Sequence, residues 1–198
     1  MKKLSLLITL VTIIFSCSPV KNADRLAQKN QKVSLYPEVA FDKELAKSQL
    51  ATGRSTIRGV VYKSTNKMSV VNAKAYGSYA KVNLFPVNDY LMAWYNLREQ
   101  KEDKNTSVYF SEEANTYRIE VTADEYGRFE FKDLKPGKYF IHSIMSVTKS
   151  GYSDVNVGSN SYGTQYYQKQ RYSNTKYHRN EEFVEITKDG EIIEVKLN

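Results

Sequence analysis

The sequence predicts a mainly β protein: an antiparallel β-sandwich of about seven short strands, with one short N-terminal helix and one inserted helix. Three observations predict it. Between Ser55 and Leu197 apolar residues recur with a period of two in short runs, the spacing that puts alternate side chains on one face of a strand. Turn formers separate those runs, as in Asp124-Glu125-Tyr126-Gly127, Lys135-Pro136-Gly137 and Lys188-Asp189-Gly190. Two segments outside this pattern have helical spacing instead. The composition agrees. A chain of 198 residues, 41% apolar and 26% charged, has room for one domain plus appendages.

The first helix is expected within residues 37–53. Phe41, Leu45 and Leu50 lie near one face, acids Glu38, Asp42 and Glu44 come early and Lys47 late, an order that suits the helix dipole. Gly53 can end it. Residues 54–198 then form the sandwich. Thr56–Tyr62 is a strand with Gly59 at a close approach. Lys81–Phe85 is a second, ended by Pro86. Tyr117–Val121, Gly127–Phe131 and Lys138–Ile144 follow, the last apolar enough to be central. Phe183–Ile186 and Glu191–Leu197 flank Asp189-Gly190, a dipeptide that predicts a hairpin between them. The inserted helix is expected at 88–104. Asn88 or Asp89 can cap it, and Leu91, Trp94 and Tyr95 form its apolar stripe.

The N-terminus reads as an address. Met1-Lys2-Lys3 is cationic, and Leu4 to Phe15 is an apolar run too short to span a bilayer, which needs about 20 residues. Its length fits the apolar region of a secretory signal over residues 1–16. The run ends in Ile14-Phe15-Ser16-Cys17, which resembles the lipobox of bacterial lipoproteins. The resemblance implies that the Cys17 thiol takes a diacylglycerol, that the chain is cut before it, and that the protein sits lipid-anchored in a bacterial cell envelope, on the outer membrane, facing the periplasm or the exterior. The alternative is a plain signal whose cysteine is incidental. Residues 17–36 are polar without a sustained period and read as a tether, whose flexible span would be about 25 Å.

The most specific stretch is Asp124 to Tyr139. Asp124-x-x-Gly127-x-Phe129 and Leu134-x-Pro136-Gly137-x-Tyr139 resemble the turn-and-strand and the corner of the carboxypeptidase regulatory-like family, a transthyretin-like (prealbumin-like) sandwich. Ile57–Val61 and Ala80–Pro86 resemble its first two strands. Together with the lipobox, this looks like a Bacteroidota-type envelope lipoprotein. The resemblance implies a non-catalytic domain.

Chemistry by side-chain set is sparse. One Cys excludes a disulfide framework, and two His leave almost nothing for a metal site. His178-x-x-Glu181 fits a zinc-ligand spacing only formally. No nucleophile elbow or phosphate-binding loop occurs. No cofactor is expected, and a net charge of +7 is too modest to argue for nucleic acid. What stands out is tyrosine, 16 in all. Residues 151–180 read as a Tyr-rich loop with Tyr152, Tyr162, Tyr166, Tyr167, Tyr172 and Tyr177 among amides and the bases Lys169, Arg171, Lys176 and Arg179. Tyrosine offers a flat face and a hydroxyl at low entropy cost. The candidate ligand contacts are therefore Tyr162, Tyr166, Tyr167 and Tyr172, with Trp94 if its ring is exposed and not packed on the domain. Expected partners are a bilayer through Cys17 and an envelope protein or glycan. The expected function is a membrane-anchored binding or structural module. A carbohydrate-binding module using the Tyr-rich loop is the alternative, and an accessory hydrolase component the second.

Overall fold

A computed structural model describes residues 31–64 and 74–198. The signal segment, Cys17 and the tether up to residue 30 lie outside the described residues. The fold is a mainly β sandwich. Its elements are β1 (Val33–Leu35), α1 (Lys43–Gln49), β2 (Ser55–Ser64), β3 (Lys74–Tyr76), β4 (Lys81–Pro86), α2 (Asp89–Lys101), β5 (Thr106–Val108), α3 (Glu112–Thr116), β6 (Ile119–Thr122), β7 (Arg128–Leu134), β8 (Gly137–Ser159), β9 (Gln165–Ile186) and β10 (Ile192–Leu197).

The first sheet is built on β2. β10 runs parallel along one edge, with Ile192 beside Thr56 and Leu197 beside Val61. β7 and then the short β3 run antiparallel along the other. The second sheet has the order β6-β4-β8-β9, all antiparallel. Alternation sends Ile57, Val61 and Phe131 from one sheet, and Val82, Leu84, Tyr139 and Ile141 from the other, into a shared dry core. The opposite face of the second sheet is covered too. Phe85 and Phe140 point away from that core and pack under Leu91 and Trp94 of α2 and Val108 of β5. This second layer explains why β8 reads as apolar on both faces near its start.

Both motif turns form as the spacing requires. Asp124 Oδ1 accepts from the backbone N–H of Tyr126 and of Arg128, both at 2.8 Å. Gly127 sits there at φ +75°. Phe129 and Phe131 meet edge to face at 5.7 Å. At the corner the Tyr139 hydroxyl donates back to the Lys135 carbonyl at 2.8 Å, and burial pushes that hydroxyl's pKa up. Gly59 is a close approach: a Cβ there would lie 2.5 Å from the Val195 carbonyl oxygen and 2.8 Å from the Phe129 ring.

Several expectations are corrected. The first helix opens at its cap Asp42, which accepts from Leu45 N–H at 2.9 Å, and not at Pro37. Of the two expected caps of α2, Asn88 is the one that forms, accepting from Leu91 N–H. Val33–Leu35, read as tether, pairs in parallel with β5. Glu112–Thr116 form the short helix α3 behind its cap Ser111. The turn at Asp189-Gly190 does not make a hairpin. It carries the chain from β9 in the second sheet to β10 in the first, and is tied locally by the Glu191 carboxylate, which accepts from Thr187 and Lys188 N–H. The largest correction is the Tyr-rich segment, which is strand and not loop.

Candidate functional site

β8 keeps its neighbour β4 only from Tyr139 to Ser143. From Ile144, opposite Arg179, to Ser159, opposite Gln165, it continues with β9 alone. At about 3.3 Å per residue this two-stranded ribbon is roughly 50 Å long. Its tip is a turn in which Asn160 Oδ1 accepts from Tyr162 N–H at 3.1 Å and Thr164 N–H at 2.9 Å. A bulge between Asn156 and Gly158 adds one unpaired residue to β8. Nearly every side chain from Thr148 to Tyr177 is exposed.

The ladder register sorts the tyrosines by face, because residues opposite one another share a face and neighbours in sequence do not. Tyr152 (opposite Arg171), Tyr167 (opposite Asn156) and Tyr177 (opposite Ser146) stand on the face that carries α2 in the body. Tyr166 and Tyr172 stand on the face that continues the sandwich interior. Tyr162 is at the tip and 92% exposed. The expected contacts Tyr162, Tyr166, Tyr167 and Tyr172 therefore share one ribbon but not one platform. Adjacent Tyr166 and Tyr167 point to opposite sides. Tyr172 lies across Gly151, whose Cβ, if present, would be 2.8 Å from the tyrosine oxygen. The glycine makes room for the ring, and the ring restores the apolar cover that the glycine lacks.

Trp94, the remaining candidate, is buried. Its Nε1 donates to the Val108 carbonyl at 3.2 Å, and it packs on Phe110 at 4.4 Å. The Arg98 guanidinium lies 4.4 Å above its ring. This places the ring in the second core and not on a surface platform.

At the ribbon's root α2 and the second sheet meet through charge. Arg98, with 2% of its side chain exposed, reaches Glu181 of β9 with Nη1 at 2.6 Å and Nη2 at 2.5 Å. Arg179 pairs with Glu102 beyond the C-terminal end of α2 at 2.5 Å, and that hydrogen bond holds the Glu102 carboxyl below its usual range. His142 stands opposite Glu181 in the ladder, 3.9 Å away. Burial lowers its pKa more than Glu181 raises it, with Arg179 and Arg98 adding to the lowering, so the imidazole is neutral at pH 7. His178 pairs with Met145 on the other face of the sheet. His178 and Glu181 are three apart in a strand and so point to opposite faces, which dismantles the formal zinc spacing. Among the described residues no three or more of His, Cys, Asp and Glu gather where they could hold a metal. Among them, too, no helix is long and apolar enough to cross a membrane.

A cleft of about 840 Å³ lies over Arg58, Arg128, Glu130 and Glu194 on the first sheet. Two pairs of its charges meet, Arg58 with Glu194 at 2.8 Å and Arg128 with Asp124 at 2.7 Å. A smaller cavity of about 390 Å³ sits where the ribbon leaves the body, between Lys63 of β2 and Tyr172, Lys176 and His178 of β9.

The fold and the ribbon together define a sandwich protein with an exposed two-stranded arm. No family model matches the chain, and no curated protein matches it. Among solved structures it is similar to the crystal structure of a candidate carbohydrate binding protein from Pseudomonas aeruginosa, with a TM-score of 0.52 and 20% identity, over 80% of this chain and 97% of that one. At that identity the likeness concerns the fold.

Proposed function

We propose that this chain is a non-catalytic binding module, held at a bacterial envelope membrane through acylated Cys17, whose ribbon engages carbohydrate. The observation that carries the reading is the ribbon. A free two-stranded hairpin is marginally stable in water, yet here one of about 50 Å displays tyrosines, amides and bases on both faces, where a shielding loop would have folded back on the body. Aromatic faces serve the apolar faces of sugar rings, and amides and bases serve their hydroxyls. The fold neighbour's name supports trying carbohydrate first. The formed Asp124 turn and Tyr139 corner support the likeness to the carboxypeptidase regulatory-like, transthyretin-like family.

The test is binding to immobilised polysaccharides. Tyr166→Ala with Tyr167→Ala removes one exposed ring from each face, together with the contacts of their hydroxyls to Asn160 and Gln165 within the ribbon. The double variant is expected to bind at least tenfold more weakly, about 1.4 kcal/mol, with its Tm unchanged. Full retention of binding would move the contact off the ribbon. Separately, Cys17→Ala is expected to shift the protein from the membrane fraction to the soluble fraction on cell fractionation, since acyl chains supply the anchoring energy at about 0.8 kcal/mol per buried CH₂. Retention in the membrane fraction would overturn the lipid anchor.

A further inference from the structure

A second cleft, of about 590 Å³, lies beside the root of the ribbon, within the roughly 300–1,000 Å³ range of small-molecule sites. Its floor is the cross-strand pair Asn83 and His142 on the outer face of the second sheet. Its walls include Tyr76, Tyr79, Lys81 and Ile144.

Three features separate it from an ordinary surface hollow. The first is backbone strain. Tyr79 adopts φ +58°, a region that costs a non-glycine residue about 1–2 kcal/mol. The neighbouring backbone enforces it: Ala80 N–H donates to Gly77 O at 3.0 Å, Ala123 N–H to Ala80 O at 2.9 Å, and the Ser78 hydroxyl to Glu125 O at 2.6 Å. That loop presents a tyrosine ring that is 69% exposed. Strain held in place by its surroundings, with the side chain thrown outward, is a mark of a working site. The second feature is spare hydrogen-bonding capacity. Asn83 Oδ1 accepts from Arg118 Nε at 3.0 Å, and no acceptor among the described residues takes its Nδ2. His142, 21% exposed, has no hydrogen-bond partner among them, since Glu181 at 3.9 Å is too far. Asn83 offers donors, and the neutral imidazole offers one donor and one acceptor. The third feature is apolar surface. Tyr76, Tyr79 and Ile144 are all about half exposed or more around this polar floor. The cations at the floor are engaged, Lys81 with Glu120 at 2.7 Å and Arg118 with Asn83 and, at 3.4 Å, with Glu120.

We propose that this cleft binds a single neutral hydroxylated ring, a pyranose unit, with an aromatic wall from Tyr79 against the ring's apolar face and with Asn83 and His142 hydrogen-bonding its hydroxyls. The proposal rests on the carbohydrate reading of the chain and adds a second place of contact. Short saccharides read the cleft, whereas long polymers read the cleft and the ribbon together. Lys81 is already paired, so the site has no free charge for a uronic acid and favours uncharged sugars.

The experiment is a nuclear magnetic resonance titration of the full chain with glucose, galactose, mannose and N-acetylglucosamine and their tetrasaccharides, with glucuronic acid as the charged comparison. Tyr79→Gly is the principal variant. It removes the ring and suits the positive φ, so folding is preserved or improved and Tm reports it. Asn83→Ala is the second. At least one neutral sugar is expected to shift the amides of Ser78–Asn83 and Ile144–Ser146, and Tyr79→Gly and Asn83→Ala are each expected to raise its Kd tenfold or more. The Tyr166→Ala, Tyr167→Ala variant is expected to leave that Kd within twofold. If a saccharide binds and the cleft variants bind it like the parent, the cleft proposal falls and the carbohydrate reading stands. If neither short sugars nor polysaccharides bind the parent protein, both fall.

Discussion

Replacing Glu181 with alanine is expected to destabilise the fold by about 3 kcal/mol. Removing one member of a buried, hydrogen-bonded ion pair strands the other, and such losses run to about 3–5 kcal/mol. Arg98 is the stranded group, with its guanidinium over the ring of Trp94 at 4.4 Å and that of Tyr95 at 4.9 Å. Its Nε already lacks a partner, and only Glu99 at 3.3 Å would remain. That residual contact puts the expected loss at the low end. For a chain of this size it corresponds to a fall in Tm of about 6–12 °C. The double variant Arg98→Met, Glu181→Leu removes both charges and is expected to recover most of the loss, because an apolar pair of similar volume costs little in place of a buried ion pair. Urea denaturation of the parent and both variants checks this. A loss under 1 kcal/mol for Glu181→Ala would mean that the pair does not hold α2 to the second sheet.

Replacing Gly127 with alanine is expected to cost a similar amount, about 3 kcal/mol, for a different reason. Its φ of +75° already costs an L-residue about 1 kcal/mol or more. In addition, a Cβ would sit 2.5 Å from the Val61 carbonyl oxygen and 3.1 Å from Gly77 N. Both are backbone atoms, hydrogen-bonded to each other at 2.9 Å, that cannot rotate away, and overpacking of this kind adds about 1–3 kcal/mol. Gly163 at the ribbon tip separates the two terms. It has φ +82° but nothing within 4 Å of its Cβ position, so alanine there is expected to cost only the backbone part. Equal losses at the two sites in thermal melts would show that the close approach at Val61 is relieved by relaxation.

The body of the fold was legible because burial of one face writes alternation into a strand. Ile57, Gly59 and Val61 point inward while Arg58 and Val60 point out, and the sequence shows that spacing plainly. The Asp124 turn, the Tyr139 corner and the Asn88 cap were readable because each rests on contacts within a few residues. The ribbon was not. Its two faces are both wet, so Ser150 to Tyr177 carries no alternation to find, and only a surplus of tyrosine hints at strand. The Asp189-Gly190 turn misled because a turn dipeptide reports a reversal and not which strand lies beside the next. That choice was made by the distant pairing of β10 with β2. For the candidate site, the tyrosines were visible by count, while their division between faces follows from the register of β8 on β9. Tyr79 and Asn83 left no local signal. A positive φ at a tyrosine is dictated by the neighbours that hold the loop, and those lie some 45 residues onward, at Asp124 and Glu125.

Because β8 is a single strand running from the ribbon's tip into the middle of the second sheet, the arm has no joint at its base. A tug along its length reaches β4 through hydrogen bonds set at right angles to the force. Those bonds share the load together instead of parting one after another. An arm of this build transmits tension from whatever it grasps straight into the middle of the second sheet.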